Sequence, residues 1–248
     1  MNINTRVDNI PFGTNVQTIE IPKKLQQRIS TGVSYVDCVL GGVGFTPSMV
    51  TYLTGVAGGG KTTMALEIAN GLAKNNAIAV FNSCEESPYQ VGMRTKRLGL
   101  RNTILMGQES NMKELIEKCE KLRKSYKNKD FFLIIDSLQC MHDGKFSTGR
   151  ITSQTAERAL VMITDWCKEN YTNAIVIGQV NKSGVMSGSN KLKHMVDAHL
   201  HIDIEKRDKE LEGCRILEAQ KNRFGGTGNH VYLDLHRNGF TEIARITS

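Results

Sequence analysis

The 248 residues contain no Cys-x-x-Cys pair, only four prolines, a single tryptophan and an aromatic share of 6%. Each shortage excludes something. The six cysteines (Cys38, Cys84, Cys119, Cys140, Cys167 and Cys214) are scattered, and the two closest stand 21 residues apart. That spacing rules out a zinc ribbon and a thioredoxin-like motif. Thiols inside strand-like and helix-like patterns read instead as small core hydrophobes of a reducing compartment. Four prolines leave no room for a Pro-rich disordered tract. No apolar run reaches the roughly 18 residues that span a bilayer, and Met1 to Gly13 is polar without a hydrophobic signal core. The chain is expected to be soluble and cytoplasmic, with neither a membrane nor zinc among its partners. Lys and Arg number 32 against 25 Asp and Glu, a net charge of +7 that alone does not decide for a nucleic-acid partner.

What is present is ordinary for a globular domain: 40% apolar and 23% charged residues. A chain of this size buries roughly 70% of its extended surface without staples. Residues 1–28 lack sustained periodicity and end in a basic run, and they read as an N-terminal arm suited to docking on a neighbouring subunit. Residues 29–248 read as one domain, with no internal repeat and no second core. Short apolar runs alternate there with helical patterns, the signature of an α/β fold with a parallel sheet covered on both faces. Strands are predicted at Met49–Leu53, Ile78–Phe81, Phe131–Ile135 and Ala174–Ile177. Ser87-Pro88-Tyr89-Gln90 supplies a capping Ser, a Pro at the first helical position and a reciprocal Gln, predicting a helix to about Leu98. Leu115, Cys119, Leu122 and Tyr126 mark one helical face, and Ala156, Leu160, Ile163 and Cys167 another. After residue 195 the pattern alternates, at Ala198 to Ile204 and at Val231 to Leu235 before the hairpin signal Asn238-Gly239, predicting an antiparallel C-terminal extension.

The strongest chemical signal is Gly55-Val56-Ala57-Gly58-Gly59-Gly60-Lys61-Thr62, a GxxxxGK[ST] phosphate loop after a strand and before a helical pattern opening at Thr63. With this chain's composition, chance matches number about 0.02. Such a loop converges backbone N–H groups on phosphate oxygens at a helix N-terminus, with Lys61 reaching the β and γ phosphates and Thr62 ligating Mg²⁺. ATP and Mg²⁺ are therefore the expected ligands. Phe131 to Asp136 is an apolar strand ending in an acid, and Asp136 is the candidate second metal anchor; an Asp merely capping the next element is the plainer alternative. The second strand ends near Glu85-Glu86-Ser87, where a general base would lie; Glu85 is preferred because Glu86 directly precedes the helix cap. The fourth strand leads to Gln179, an amide placed to sense the γ-phosphate. Lys221 and Arg223, two residues apart on an extended segment, share a face and are either a solvated edge or a cation pair presented to a neighbour's nucleotide.

The order Arg28-Ile29-Ser30-Thr31-Gly32, Leu40-Gly41-Gly42, the phosphate loop, Glu85-Glu86-Ser87 with Gln90, Arg94, Arg97, Leu98 and Gly99, Ile135-Asp136-Ser137, Lys193 to Asp197 and Lys221-Asn222-Arg223-Phe224-Gly225 resembles the RadA/Sms DNA-repair ATPases. The likeness spans about residues 28–245. It implies a RecA-like P-loop ATPase core assembling head to tail as a ring or filament, with ATP between subunits. On that likeness Lys61, Thr62 and Asp136 act in cis, Thr63 and Arg94 join the nucleotide contacts, Glu85 activates water, Gln179 couples the γ-phosphate to DNA, and Lys221 with Arg223 act in trans. Two Gly-, Ser- and Lys-bearing stretches then fall where the class holds single-stranded DNA: Met141–Ser153, with Lys145 and Arg150, and Lys182–Lys193, with Lys182, Lys191 and Lys193. Both are expected to be flexible loops. The implied activity is a DNA-dependent motor in recombination or repair, with a strand-exchange filament or a protein-binding regulatory ATPase as alternatives. The chain departs from the family in carrying neither its four-cysteine zinc module nor its Lon-like domain, which suggests a minimal motor. Gln179 also stands where a His is usual, leaving the coupling role open.

Overall fold

The computed structural model describes residues 10–145, 151–178 and 191–247. Residues 10–28 carry two short 3₁₀ turns and little burial, as their lack of periodicity predicts. The remainder runs α1 (Ser34–Val39), β1 (Val50–Gly55), α2 (Lys61–Lys74), β2 (Ile78–Ser83), α3 (Pro88–Arg97), β3 (Leu105–Gly107), α4 (Met112–Ser125), β4 (Phe131–Asp136), α5 (Ser153–Asn170), β5 (Asn173–Ile177), α6 (Lys191–Met195), β6 (Ala198–Ile204), β7 (Arg215–Asn222), β8 (His230–His236) and β9 (Gly239–Ile246). They build one nine-stranded sheet in the order β3-β2-β4-β5-β1-β6-β7-β8-β9. Strands β1 to β6 are mutually parallel where they pair, and β7 to β9 add the antiparallel extension.

The continuous apolar runs follow from cover on both faces. Along β4, Phe132 and Ile134 point into a core with α1 and α2, while Phe131, Leu133 and Ile135 point into a second with α4 and α5. The alternating pattern at Ala198–Ile204 has a different cause from the one expected. Strand β6 is the last parallel strand, paired with β1, and only its other edge is antiparallel, to β7. Its Leu200 and Ile202 face the α2 core while His199 and His201 face away. The cap before α3 forms as predicted: Ser87 Oγ accepts from Gln90 N at 3.3 Å and Ser87 N donates to Gln90 Oε1 at 2.8 Å. Cys38, Cys119 and Cys167 are buried core thiols, whereas Cys84, Cys140 and Cys214 are half-buried; all six are free.

The described ends of the two stretches expected as flexible loops make defined contacts. His142 N donates to Ser110 O and Met112 N to His142 O, tying residues 141–144 to the start of α4, and Asp143 pairs with Arg158 of α5. The second stretch ends in α6, so Lys191 and Lys193 belong to a helical turn. Arg150, Gln179 and Lys182 lie outside the described residues, as does the rest of each stretch between 146–150 and 179–190.

Candidate active site at the carboxyl edge of the sheet

Strands β1, β2, β4 and β5 all end on one edge, and the phosphate loop leaves β1 there. Gly58 (φ +73°) and Gly60 (φ +97°) take the left-handed backbone that turns successive N–H groups toward one point, and nothing lies within 4 Å of where a Gly58 side chain would begin. A cleft of about 480 Å³ opens beside them, lined by Ala57, Lys61, Thr62, Thr63, Glu85, Arg94 and Asp136. Gly55 and Val56 contribute their carbonyls, which accept from Lys61 Nζ at 2.8 and 2.9 Å. Burial lowers the Lys61 ammonium's pKa, opposed by the charges of Asp136 and Glu85. Ile177, the last residue of β5, also borders the cleft, so the strand leading to Gln179 ends at the phosphate end of the site.

Thr62 Oγ1 donates to Asp136 Oδ2 at 2.7 Å, joining the first turn of α2 to the tip of β4. A hydroxyl and a carboxylate brought together beside a phosphate loop are the hard oxygen donors that Mg²⁺ requires, so the residues present fit that ion. Burial pushes the Asp136 carboxyl up to about 6; the Thr62 bond opposes this, while Glu85 and Glu86 reinforce it. An acid whose folded pKa lies above its ordinary 3.8 destabilises the free fold above about pH 6, and the penalty is relieved as pH falls toward 4. Asp136→Asn is therefore expected to raise the stability of the nucleotide-free chain by about 1–3 kcal/mol at pH 7.5, with no gain at pH 4. Urea unfolding at the two pH values checks this, and an unchanged midpoint at pH 7.5 counts against the buried-charge account.

The two adjacent acids have separate partners. Glu85 lies in the cleft and accepts from Ser137 Oγ, with Cys140 Sγ at 3.8 Å; Glu86 pairs with Arg94 on α3. Arg94 thus borders the cleft through a local ion pair. Ser137 was not singled out from sequence, although it directly follows Asp136.

A larger omission is the C-terminal hairpin. Leu235 and His236 of β8 border the cleft, and a side chain at Gly60 would begin 2.5 Å from Phe240 Cζ of β9. The hairpin is held by Glu67 on α2, which accepts from Phe240 N at 3.0 Å and from Tyr35 Oη, and by Arg97, which donates to the Arg237 carbonyl. No local signal marks these contacts.

Lys221 and Arg223 are elsewhere. Strand β7 runs antiparallel, so its end lies at the amino edge of the parallel strands. Lys221 Nζ donates to the carbonyls of Lys193, His194 and Val196 at 2.9, 3.2 and 2.6 Å. Arg223 Nη1 lies 3.1 Å from Asp197 Oδ1, and the buried Asp197 also takes Lys168 Nζ at 2.6 Å and the N–H of Val50 at 3.0 Å. Val50 and Gly55 bound β1, so the Arg223 ion pair lies about 17 Å along the strand from the phosphate loop.

A phosphate loop between β1 and α2, a Thr–Asp pair across to β4 and a Glu beyond β2, set on this strand order, define a RecA-like P-loop ATPase. The chain belongs to the family described as ATPase: KaiC, whose profile matches residues 29–235. It is 30% identical over 222 residues to the DNA repair protein RadA of Aquifex aeolicus, covering 89% of this chain and 47% of that protein. It is 32% identical over 232 residues to RadA of Haemophilus influenzae, covering 92% and 48%. The chain thus spans about half the length of the curated relatives it matches. Among solved structures, one described as an ATPase domain superposes with a TM-score of 0.76 at 13% identity, over 87% of this chain and 91% of that one. A KaiC-like protein of Pyrococcus horikoshii OT3 superposes at 0.71 and 17%, over 88% and 99%. Among the described residues no helix is long and apolar enough to cross a membrane.

Proposed function

We propose that the chain is a DNA-dependent ATPase working as a motor on single-stranded DNA in recombination or repair, hydrolysing ATP between copies of itself. The observation that carries the subunit-interface reading is the separation of the two halves of the site. The phosphate loop, Asp136 and Glu85 gather at one edge of the sheet. Lys221 and Arg223 stand at the other, too far to serve their own nucleotide and half-exposed at Arg223 for a neighbour's. Mg²⁺, held by Thr62 and Asp136, would neutralise charge on the β and γ phosphates.

In this reading Lys61 exchanges its two carbonyl partners for phosphate oxygens, and Thr63 and the loop glycines supply backbone donors. Glu85, oriented by Ser137, takes the proton of the attacking water. Gln179, two residues beyond β5 in the sequence, relays the state of the γ-phosphate. Lys145, Arg150, Lys182, Lys191 and Lys193 grip the phosphates of the single strand, and Lys221 and Arg223 complete the adjoining copy's site. Residues 1–28 serve as the arm by which copies associate.

The relatives named DNA repair protein RadA favour DNA over a protein partner. Steady-state turnover with and without poly(dT) tests the reading. At least tenfold stimulation that fades with salt is expected, since phosphate contacts weaken as counterions compete. Turnover indifferent to single strands would leave the regulatory, protein-binding ATPase as the better account. Closed rings seen by electron microscopy with DNA would favour the motor over a strand-exchange filament.

A further inference from the structure

The corner between α4 and β4 carries a second concentration of positive charge, at the amino edge of the sheet and away from the nucleotide cleft. A groove of about 640 Å³ runs there between the arm and the α4–β4 turn. Its cations come from sequence positions about a hundred residues apart: Lys24 from the 3₁₀ turn Lys23–Gln26, and Arg123, Lys124, Lys127 and Lys129 from the end of α4 and the turn after it. Asn128 takes the left-handed conformation (φ +68°), and Lys127 and Lys129 flank it. Among the described residues, Asp130 is the single carboxylate lining the groove.

Part of this charge has a local use. Arg123 and Lys124 occupy the last turn of α4, where cations offset the helix dipole, and both face Glu120, Lys124 only at 3.8 Å. Lys24, Lys127 and Lys129 have no such use. None belongs to α4, and none has an acidic partner among the described residues. The fold therefore brings three unpaired ammonium groups to one concave surface.

We infer that this groove, away from the nucleotide cleft, is a docking surface for the phosphate backbone of duplex DNA. The lining chemistry selects the occupant. A hold on single strands is strengthened by successive aromatic platforms, and among the described residues this groove offers a single exposed ring, Tyr126, beside the buried Phe131. Protein interfaces are poor in Lys and centred on clusters of apolar or aromatic anchors, whereas this groove sets one exposed ring among five cations. Flexible Lys stems around a polar concavity suit sequence-independent phosphate contacts. A motor on one strand would gain a hold on the flanking duplex without reading its sequence.

The test uses the whole chain and a 30-base-pair blunt duplex of mixed sequence, with affinity measured across a salt series. Replacing the three unpaired lysines together (Lys24→Gln, Lys127→Gln, Lys129→Gln) is expected to lower the slope of log affinity against log salt by about 2 to 3. At 0.1 M salt, affinity should drop on the order of 100-fold. The matching triple Lys→Arg variant should keep the slope, because it keeps the charge. A Lys127→Gln, Lys129→Gln double variant, which leaves the arm intact, should lower the duplex slope by about 2 while turnover without DNA and its stimulation by poly(dT) stay unchanged, so failure of the single-strand reading registers separately from failure of this one. An unchanged duplex slope in the Gln variant, or an equal loss in the Arg variant, overturns the proposal.

Discussion

Arg223→Ala is expected to slow ATP turnover by about 10³- to 10⁵-fold, equivalent to roughly 4–7 kcal/mol of barrier, while leaving nucleotide affinity within a few fold. The asymmetry follows from where Arg223 stands. It is at the amino edge with Asp197, remote from its own phosphate loop, so binding in cis survives its removal. The cost to the fold is small by comparison. Arg223 is 47% exposed, and Asp197 retains Lys168 at 2.6 Å and the Val50 N–H at 3.0 Å after the change. Arg223 is half-exposed and the buried Asp197 keeps a cationic partner, so the loss is expected to cost about 1–2 kcal/mol and not the larger penalty of an orphaned buried charge. Paired measurements of turnover and thermal midpoint separate the two effects: a large fall in stability with proportionate loss of activity would reduce Arg223 to a structural residue. Arg223→Lys should recover little, since a point charge lacks the planar fork of guanidinium.

Glu85→Gln is expected to reduce turnover by about 10²- to 10⁴-fold, the range for removing a positioned general base. The amide oxygen can still accept from Ser137, so the local geometry survives and the loss reports chemistry. Glu86→Gln should do far less to the chemical step, because Glu86 is engaged with Arg94; equal losses in the two would move the base to Glu86 or to neither. Mixing the Glu85→Gln and Arg223→Ala proteins gives the sharper test. In a random equal mixture, about a quarter of the interfaces pair an intact Glu85 with an intact neighbouring Arg223. Activity should return to that order. Two inert proteins that stay inert on mixing, while still associating, would end the trans assignment.

The parts of this molecule legible in its sequence are those whose causes are local. Phe131 to Ile135 reads as a covered strand because five aromatic and aliphatic residues in a row, closed by Asp136, are too short for a buried helix, and Ser87, Pro88 and Gln90 specify the start of α3 by bonds within four residues. The phosphate loop is legible for the same reason. Strand β3 is not, since three residues without full burial leave no pattern. Nor is the pairing of β6. Alternation reports one polar face, which a mixed-direction strand at the transition of the sheet produces as well as an antiparallel one. The hairpin that presses Phe240 against Gly60 joins residues 180 apart through Glu67, a charged residue on a helix that periodicity alone gives no reason to bury. For Lys221 the extended backbone was legible. The destination of its ammonium, three carbonyls at the end of α6, depends on tertiary structure that spacing does not encode.

The strand order also sets a timetable. Strand β1 lies between β5 and β6, so both of its partners are encoded well over a hundred residues after it. At a synthesis rate of 5–20 residues per second, the interval between the emergence of Gly55 and of Asn173 is roughly 6–24 s. Throughout it, a strand destined for full burial, followed by the phosphate loop, lacks both of its partners, and before the interval ends β2 and β4 can pair. The nascent chain therefore passes through a stage in which the strand that carries its phosphate loop is without either of its neighbours. The nucleotide site cannot form until the last third of the protein has been made.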